Sequence, residues 1–177
     1  MVGVTISNIK LSAKTPKTCL STVEEFCFQN RIRTRRFQNF LVVHRKFTHV
    51  LFKSSRKLSR VQHCNITKVL LNETSEAIDE LAFIIQKDPQ SIDFKVDNIT
   101  ATGSLDRTIE LEDFIQGNSD ISSFISYQPE VFPGLFLKNQ FGKTIIFKSG
   151  KLVIIGCKTT YELEEVLSWV LQRCANI

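Results

Sequence analysis

Acidic side chains are almost missing from the start of this 177-residue chain. The first sixty positions hold Glu24 and Glu25 against 13 lysines and arginines, a local net charge of +11. The remaining positions hold 16 acids against 10 bases, a net of −6, so the overall +5 hides two opposite halves. Such a split points to a polyanion contact on one side and leaves room for a basic partner on the other. Long apolar runs are also missing. No stretch approaches the roughly 18 residues of a helical membrane span, so no membrane role is expected. The first residues, Met1 to Ile6, lack the basic, apolar and small-residue order of a secretory leader. Five cysteines (Cys19, Cys27, Cys64, Cys157, Cys174) are widely spaced and form no C-x-x-C pair. Neither a zinc site nor a disulfide framework follows, and a reducing compartment fits. The Asn-x-Thr triplets at Asn65, Asn72 and Asn98 then carry no glycan. No phosphate loop, metal cluster or nucleophile–base pair stands out, so no metal, no cofactor and no enzyme activity are expected. His44, His49 and His63 all fall in the first half without ligand spacing and read as strand or surface residues.

Glycine and proline are few, seven and four, and they concentrate between positions 129 and 156. There the chain reads Tyr127-Gln-Pro-Glu-Val-Phe-Pro-Gly134, Leu135-Phe-Leu-Lys138, Lys143-Thr-Ile-Ile-Phe147-Lys-Ser-Gly150 and Lys151-Leu-Val-Ile-Ile-Gly156-Cys-Lys158. Three short strands joined by Gly and Pro turns are predicted, with Phe132 and Phe147 standing out at the sheet ends. Before them, Val2 to Leu11 alternates and reads as a strand. A helix capped by Thr18 or Ser21 runs through Phe28. Residues 31–36 are a basic run. Residues 37–52 read as two strands turning near Arg45-Lys46, residues 53–60 as a basic loop, and residues 61–67 as a further strand. A helix from Asn72 or Thr74 buries Ala77, Ile78, Leu81, Ile84 and Ile85. The second half follows the same plan: a strand over 92–102, a short helix over 109–115, a loop or broken helix over 117–126, the three strands, and a helix over 160–173.

The order strand, helix, three strands, helix therefore occurs twice, as repeats 1–90 and 91–177 of one domain. Phe37 and Phe132 are 95 residues apart, and so are Phe52 and Phe147. Lys53-Ser54 mirrors Lys148-Ser149, and Asn8 mirrors Asn98 at a spacing of 90, each followed by Ile.

On the Tyr127–Gly134 stretch, Ile-Phe-Lys-Ser-Gly-Lys and Ile-Ile-Gly-Cys-Lys, the second repeat resembles the core domain of TATA-box-binding protein. Arg35-Arg36-Phe37 and Leu51-Phe52-Lys53-Ser54 anchor the first repeat more weakly. The resemblance implies an α+β saddle: two pseudo-symmetric repeats forming a curved antiparallel sheet with helices on its convex face. It implies wedge phenylalanines at Phe37, Phe52, Phe132 and Phe147 and minor-groove asparagines at Asn8 and Asn98. Arg36, Lys53, Lys138 and Lys148 would lie over phosphates. Glu130 and Val131 would face a general factor related to TFIIB. Such a saddle can lie on the minor groove and kink the duplex by inserting apolar wedges, a principle for which this family is itself a standard example. The chain departs from the family at Ile155, which replaces a Thr, and at Lys10, which replaces an apolar residue. Asn65 is expected to stand in the first repeat where Ile155 stands in the second.

The implied function is a nuclear transcription factor that binds double-stranded DNA through the minor groove, bends it and nucleates an initiation complex. The alternative is a protein-interaction module on the same fold that has lost DNA binding, favoured by Lys10, Ile155 and the acidic second half.

Overall fold

The computed structural model describes residues 4–54 and 57–175, and all their side chains except those of 57–60 and Gln62. The strands are β1 (Val4–Lys14), β2 (Arg33–Arg36), β3 (Phe40–His44), β4 (Thr48–Ser54), β5 (Lys57–Val69), β6 (Asp93–Ser104), β7 (Ile125–Ser126), β8 (Gly134–Lys138), β9 (Lys143–Phe147) and β10 (Lys151–Cys157). The helices are α1 (Leu20–Gln29), α2 (Thr74–Ile85), α3 (Leu111–Gly117) and α4 (Thr160–Cys174). The chain forms two compact units, Asn8–Asp97 and Met1–Ser7 with Asn98–Ile177. The division falls inside β1 and β6, whereas the sequence repeats turn over at residue 90.

In the Asn8–Asp97 unit the strand order is β2-β3-β4-β5-β1, all antiparallel. Period-2 alternation sends Leu41, Val43, Leu51, Cys64 and Ile66 to one face, where all are buried. Helices α1 and α2 cover that face with Leu20, Val23, Cys27, Ala77, Leu81 and Ile84. Each fully buried Leu or Ile contributes about 1.5–3 kcal/mol. The hairpin turn is where the sequence put it, with the Arg45 amide donating to the Phe47 carbonyl (3.0 Å). Beneath it, buried His49 Nε2 lies 2.9 Å from Glu80 Oε1 of α2, and the Phe47 amide donates to the same oxygen (3.2 Å).

In the other unit the order is β6-β10-β9-β8-β7, again antiparallel. Leu135, Leu137, Ile146, Leu152 and Ile154 are buried on the helix side with Leu163, Val166 and Val170 of α4. Helix α4 opens on a Thr159 cap whose hydroxyl accepts from the Glu162 amide (3.1 Å). Buried Asn118 ties α3 to α4, its amide donating to the carbonyls of Phe114 (2.9 Å) and Arg173 (3.2 Å). The Ser149-Gly150 turn is sealed by residues 105–109, since the Leu105 amide donates to Gly150 and the Ile109 amide to Lys148 (both 2.9 Å).

Four details differ from the sequence reading. Each repeat has four strands after its first helix, not three. The basic run yields β2, an outer strand whose arginines suit an edge that must not pair further. The broken helix ends in the two-residue β7. The basic segment 53–60 is strand on both sides of Ser55 and Arg56, which lie outside the described residues; β4 pairs Ser54 with Lys57. A hairpin end held by main-chain pairing can be polar on both faces, so composition gives no strand signal there. Finally, α1 is preceded by Cys19, and neither Thr18 nor Ser21 caps it; Thr18 Oγ1 donates to the Pro16 carbonyl instead (3.1 Å).

Candidate nucleic-acid interface

The strand residues that alternate with the core make up a second face in each unit, which none of its helices covers. Asn8, Lys10, Phe40, Val42, Val50, Phe52, His63, Asn65 and Thr67 are half-buried there in one unit. In the other, Asn98, Thr100, Phe136, Ile145, Phe147, Val153 and Ile155 hold the matching positions, all half-buried.

The two asparagines do the same work. Asn8 Oδ1 accepts from the Lys68 amide (2.8 Å), and Asn98 Oδ1 accepts from the Gly156 amide (2.7 Å). Both amides belong to residues with positive φ, 68° at Lys68 and 101° at Gly156. Both sit where the register slips, between Ile9 and Leu11 in the β1–β5 pair and between Ile155 and Cys157 in the β10–β6 pair. A bulge leaves an unpaired amide, and the carboxamide oxygen satisfies it. Each asparagine thus spends its acceptor on the fold and keeps its donor end. The Asn98 Nδ2 donates to Thr100 Oγ1 (3.1 Å), while Asn8 Nδ2 has no acceptor among the described residues. Minor-groove edges are mainly acceptors, so a donor is the useful end to keep.

This geometry corrects one correspondence. Lys68 matches Gly156, so Thr67, and not Asn65, stands where Ile155 stands. The strand pairs agree: Thr48 faces Thr67 and Lys143 faces Ile155, while Val50 faces Asn65 and Ile145 faces Val153.

The four wedge candidates lie near strand ends, but none stands free. Phe132 meets Phe147 edge-on (5.9 Å between centroids) and stacks on Phe136 (5.2 Å). Phe37 stacks on Phe40 (4.4 Å), Phe40 leans on Phe52 (5.8 Å), and Phe52 stacks on His63 (4.6 Å). Arg35 lies over Phe37 (4.9 Å) and Lys143 over Phe136 (5.3 Å). All four rings are half-buried, because neighbouring aromatics cover their flanks. The sequence reading missed Phe40, Phe136 and His63 as members of these clusters; alternation from Phe52 and Phe147 across the hairpins was the available signal.

The basic residues divide into two kinds. Arg36 is paired to Glu24 (3.4 Å) and Lys148 to Glu110 (2.8 Å), and the Glu110 hydrogen bond raises the Lys148 pKa. Lys53 and Lys138 have no acidic partner among the described residues. Lys138 borders an open hollow of about 480 Å³ that also includes Asn98, Phe141, Lys143, Ile155 and Gly156. Glu130 and Val131 are exposed, Val131 to 76%, on a turn closed by the Val131 and Phe132 amides donating to the Gln128 carbonyl (3.0 Å each). Among the described residues no His, Cys, Asp and Glu gather in a metal-binding group, and no helix is long and apolar enough to cross a membrane.

Residues 93–176 match the family described as transcription factor TFIID (or TATA-binding protein, TBP). TATA-box-binding protein 2 of Arabidopsis thaliana is 31% identical over 123 residues, covering 66% of this chain and 56% of that protein. The TATA-box-binding protein of Pyrodictium occultum is 38% identical over 80 residues, 44% of this chain and 38% of that protein. The chain thus spans about two fifths to under three fifths of the curated relatives it matches. Among solved structures, Methanococcus jannaschii TBP aligns with a TM-score of 0.76 over 98% of this chain and 99% of that one, at 21% identity. The fold is therefore the α+β fold of TBP, an open antiparallel sheet with helices. The family match itself lies in residues 93–176, which are similar to the family described as transcription factor TFIID (or TATA-binding protein, TBP).

Proposed function

We propose that this chain is a TBP-like transcription factor that binds the minor groove of double-stranded DNA, bends it, and nucleates assembly of an initiation complex in the nucleus. The repeats 1–90 and 91–177 would each serve one half of the site. One observation carries the reading: Phe52 and Asn8 in one unit, and Phe147 and Asn98 in the other, share a helix-free face at matching register positions. Phe132 and Phe147 would enter a base step as a pair, and Phe37 and Phe52, with Phe40 between them, would serve another. Unstacking costs a few kcal/mol per step and is offset by the contact that the bend permits. Lys53 and Lys138 would reach phosphates directly, whereas Arg36 and Lys148 must first exchange their glutamates. Glu130 and Val131 would offer the turn to a TFIIB-like general factor.

Phe132→Ala with Phe147→Ala is expected to abolish bending of an A·T-rich duplex, read by fluorescence energy transfer, with the unfolding transition retained. Undiminished bending by this variant would refute the wedge role. The second reading, an interaction module without DNA binding, draws on the ion pairs that already occupy Arg36 and Lys148. A salt titration separates the two: steep loss of duplex affinity with salt supports the first, and no affinity at low salt supports the second.

A further inference from the structure

We propose that the two units read chemically different half-sites: the Asn8–Asp97 unit accepts a G·C pair where the Asn98–Ile177 unit demands A·T. The inference rests on the minor-groove reading above and adds a specificity to it. In the minor groove, A·T and T·A pairs present only acceptors, and a G·C pair adds the guanine N2 amino donor. A surface tells them apart by what it places against that amino group.

In the Asn98–Ile177 unit that surface is apolar. Ile155 precedes the Gly156 amide held by Asn98, Val153 lies two residues earlier, and Ile145 is opposite Val153 on β9. A guanine amino group set against these three loses its water and gains no acceptor, which is costly. The nearest hydroxyl, Thr100 Oγ1, already accepts from Asn98 Nδ2 (3.1 Å). In the Asn8–Asp97 unit the register puts Thr67 in the place of Ile155 and Asn65 in the place of Val153. Both are half-buried on the same face as Asn8, and among the described residues neither side chain makes a hydrogen bond. Each offers an oxygen that can accept from guanine N2. Lys10, the counterpart of Thr100, is 3.9 Å from Asp97 and can only donate, which suits the acceptors common to all base pairs and selects among none. The discrimination therefore resides in two substitutions, Asn for Val and Thr for Ile.

The test measures affinity of the full chain for short duplexes with a palindromic all-A·T core, so that either orientation is available. G·C pairs are placed in one half, in both halves, or replaced by I·C, which lacks the N2 amino group. One substituted half should cost less than about threefold, and two should cost about tenfold or more, at the scale typical of a mismatched pair. I·C in both halves should restore binding. Asn65→Val with Thr67→Ile should make a single G·C half as damaging as two. The reciprocal Val153→Asn with Ile155→Thr should recover binding to the doubly substituted duplex, a gain that misfolding cannot produce. Equal penalties per half in the unaltered chain, or reciprocal variants without effect, would overturn the half-site assignment while leaving DNA binding in place. Failure to bind even the all-A·T duplex would instead remove the minor-groove reading, and this inference with it.

Discussion

Phe40 and Gly134 hold the same place in their respective units: Phe40 pairs with Phe52 across β3–β4, and Gly134 pairs with Phe147 across β8–β9. A Cβ on Gly134 would lie 2.6 Å from Phe132 Cε1 and 2.7 Å from Ile145 Cγ2. The missing side chain is what lets Phe132 reach Phe147. In the other unit the Phe40 ring fills that space and separates Phe37 from Phe52. Gly134→Ala is expected to cost about 1–3 kcal/mol by overpacking and to displace Phe132. Phe40→Ala should cost about 2 kcal/mol, below the full-burial value because the ring is half-exposed. Urea denaturation measures both, and a neutral Gly134→Ala would show that the ring pair has slack.

Glu80 gives the fold an acid-sensitive clamp. Burial pushes its carboxyl up, but hydrogen bonds from His49 and from the Phe47 amide, with Arg45 at 4.0 Å, hold it below the usual range. A carboxyl depressed in the folded state stabilises fully above its unfolded pKa of about 4.3, and that contribution fades as pH falls through the lower folded value. Glu80→Gln should therefore lower the melting temperature at pH 7 and narrow its gap to the unaltered protein below about pH 4. A constant gap from pH 7 to pH 3 would contradict this.

The cysteines should differ sharply in reactivity. Cys27, Cys64, Cys157 and Cys174 are buried, and burial raises their pKa values, that of Cys174 to about 11. Cys19 is half-exposed at the start of α1. The Ser21 hydroxyl, with Sγ and Oγ 2.9 Å apart, is the main cause of its lowered pKa. Because the thiolate is the nucleophile, iodoacetamide at neutral pH should label Cys19 first, and Ser21→Ala should slow that labelling. Peptide mass spectrometry reads the result.

Lys68 and Gly156 occupy equivalent bulges in their respective units, yet only Gly156 suits a positive φ. Lys68→Gly should stabilise the protein by up to about 1 kcal/mol, since the relieved left-handed strain exceeds the added unfolded-state freedom. Gly156→Ala should destabilise by a similar amount although its Cβ would meet nothing closer than 3.4 Å. Denaturation midpoints of the two variants should move in opposite directions.

Much of the fold was open to reading because its signals are local. Aromatic and β-branched content gave β3 and β4, short apolar runs between Gly and Pro turns gave β8, β9 and β10, and five of the six buried residues of α2 were legible, Ala82 being missed. Duplication set Asn98 90 residues after Asn8 and Phe147 95 residues after Phe52, so those pairs could be named without coordinates. The spacing misled at Phe37 and Phe132. Strand β3 matches β8 at an offset of 94, so the shared 95 conceals a one-residue difference in how each ring enters its cluster.

What the chain determined unaided was the duplicated plan, the buried stripes and the residue types on each strand. Tertiary structure alone decided how those residues are used. The bulge that aligns Thr67 with Ile155, the capture of two backbone amides by Asn8 and Asn98, and the gap at Gly134 all depend on strand register. Register is a relation between segments up to sixty residues apart, and no single segment records it.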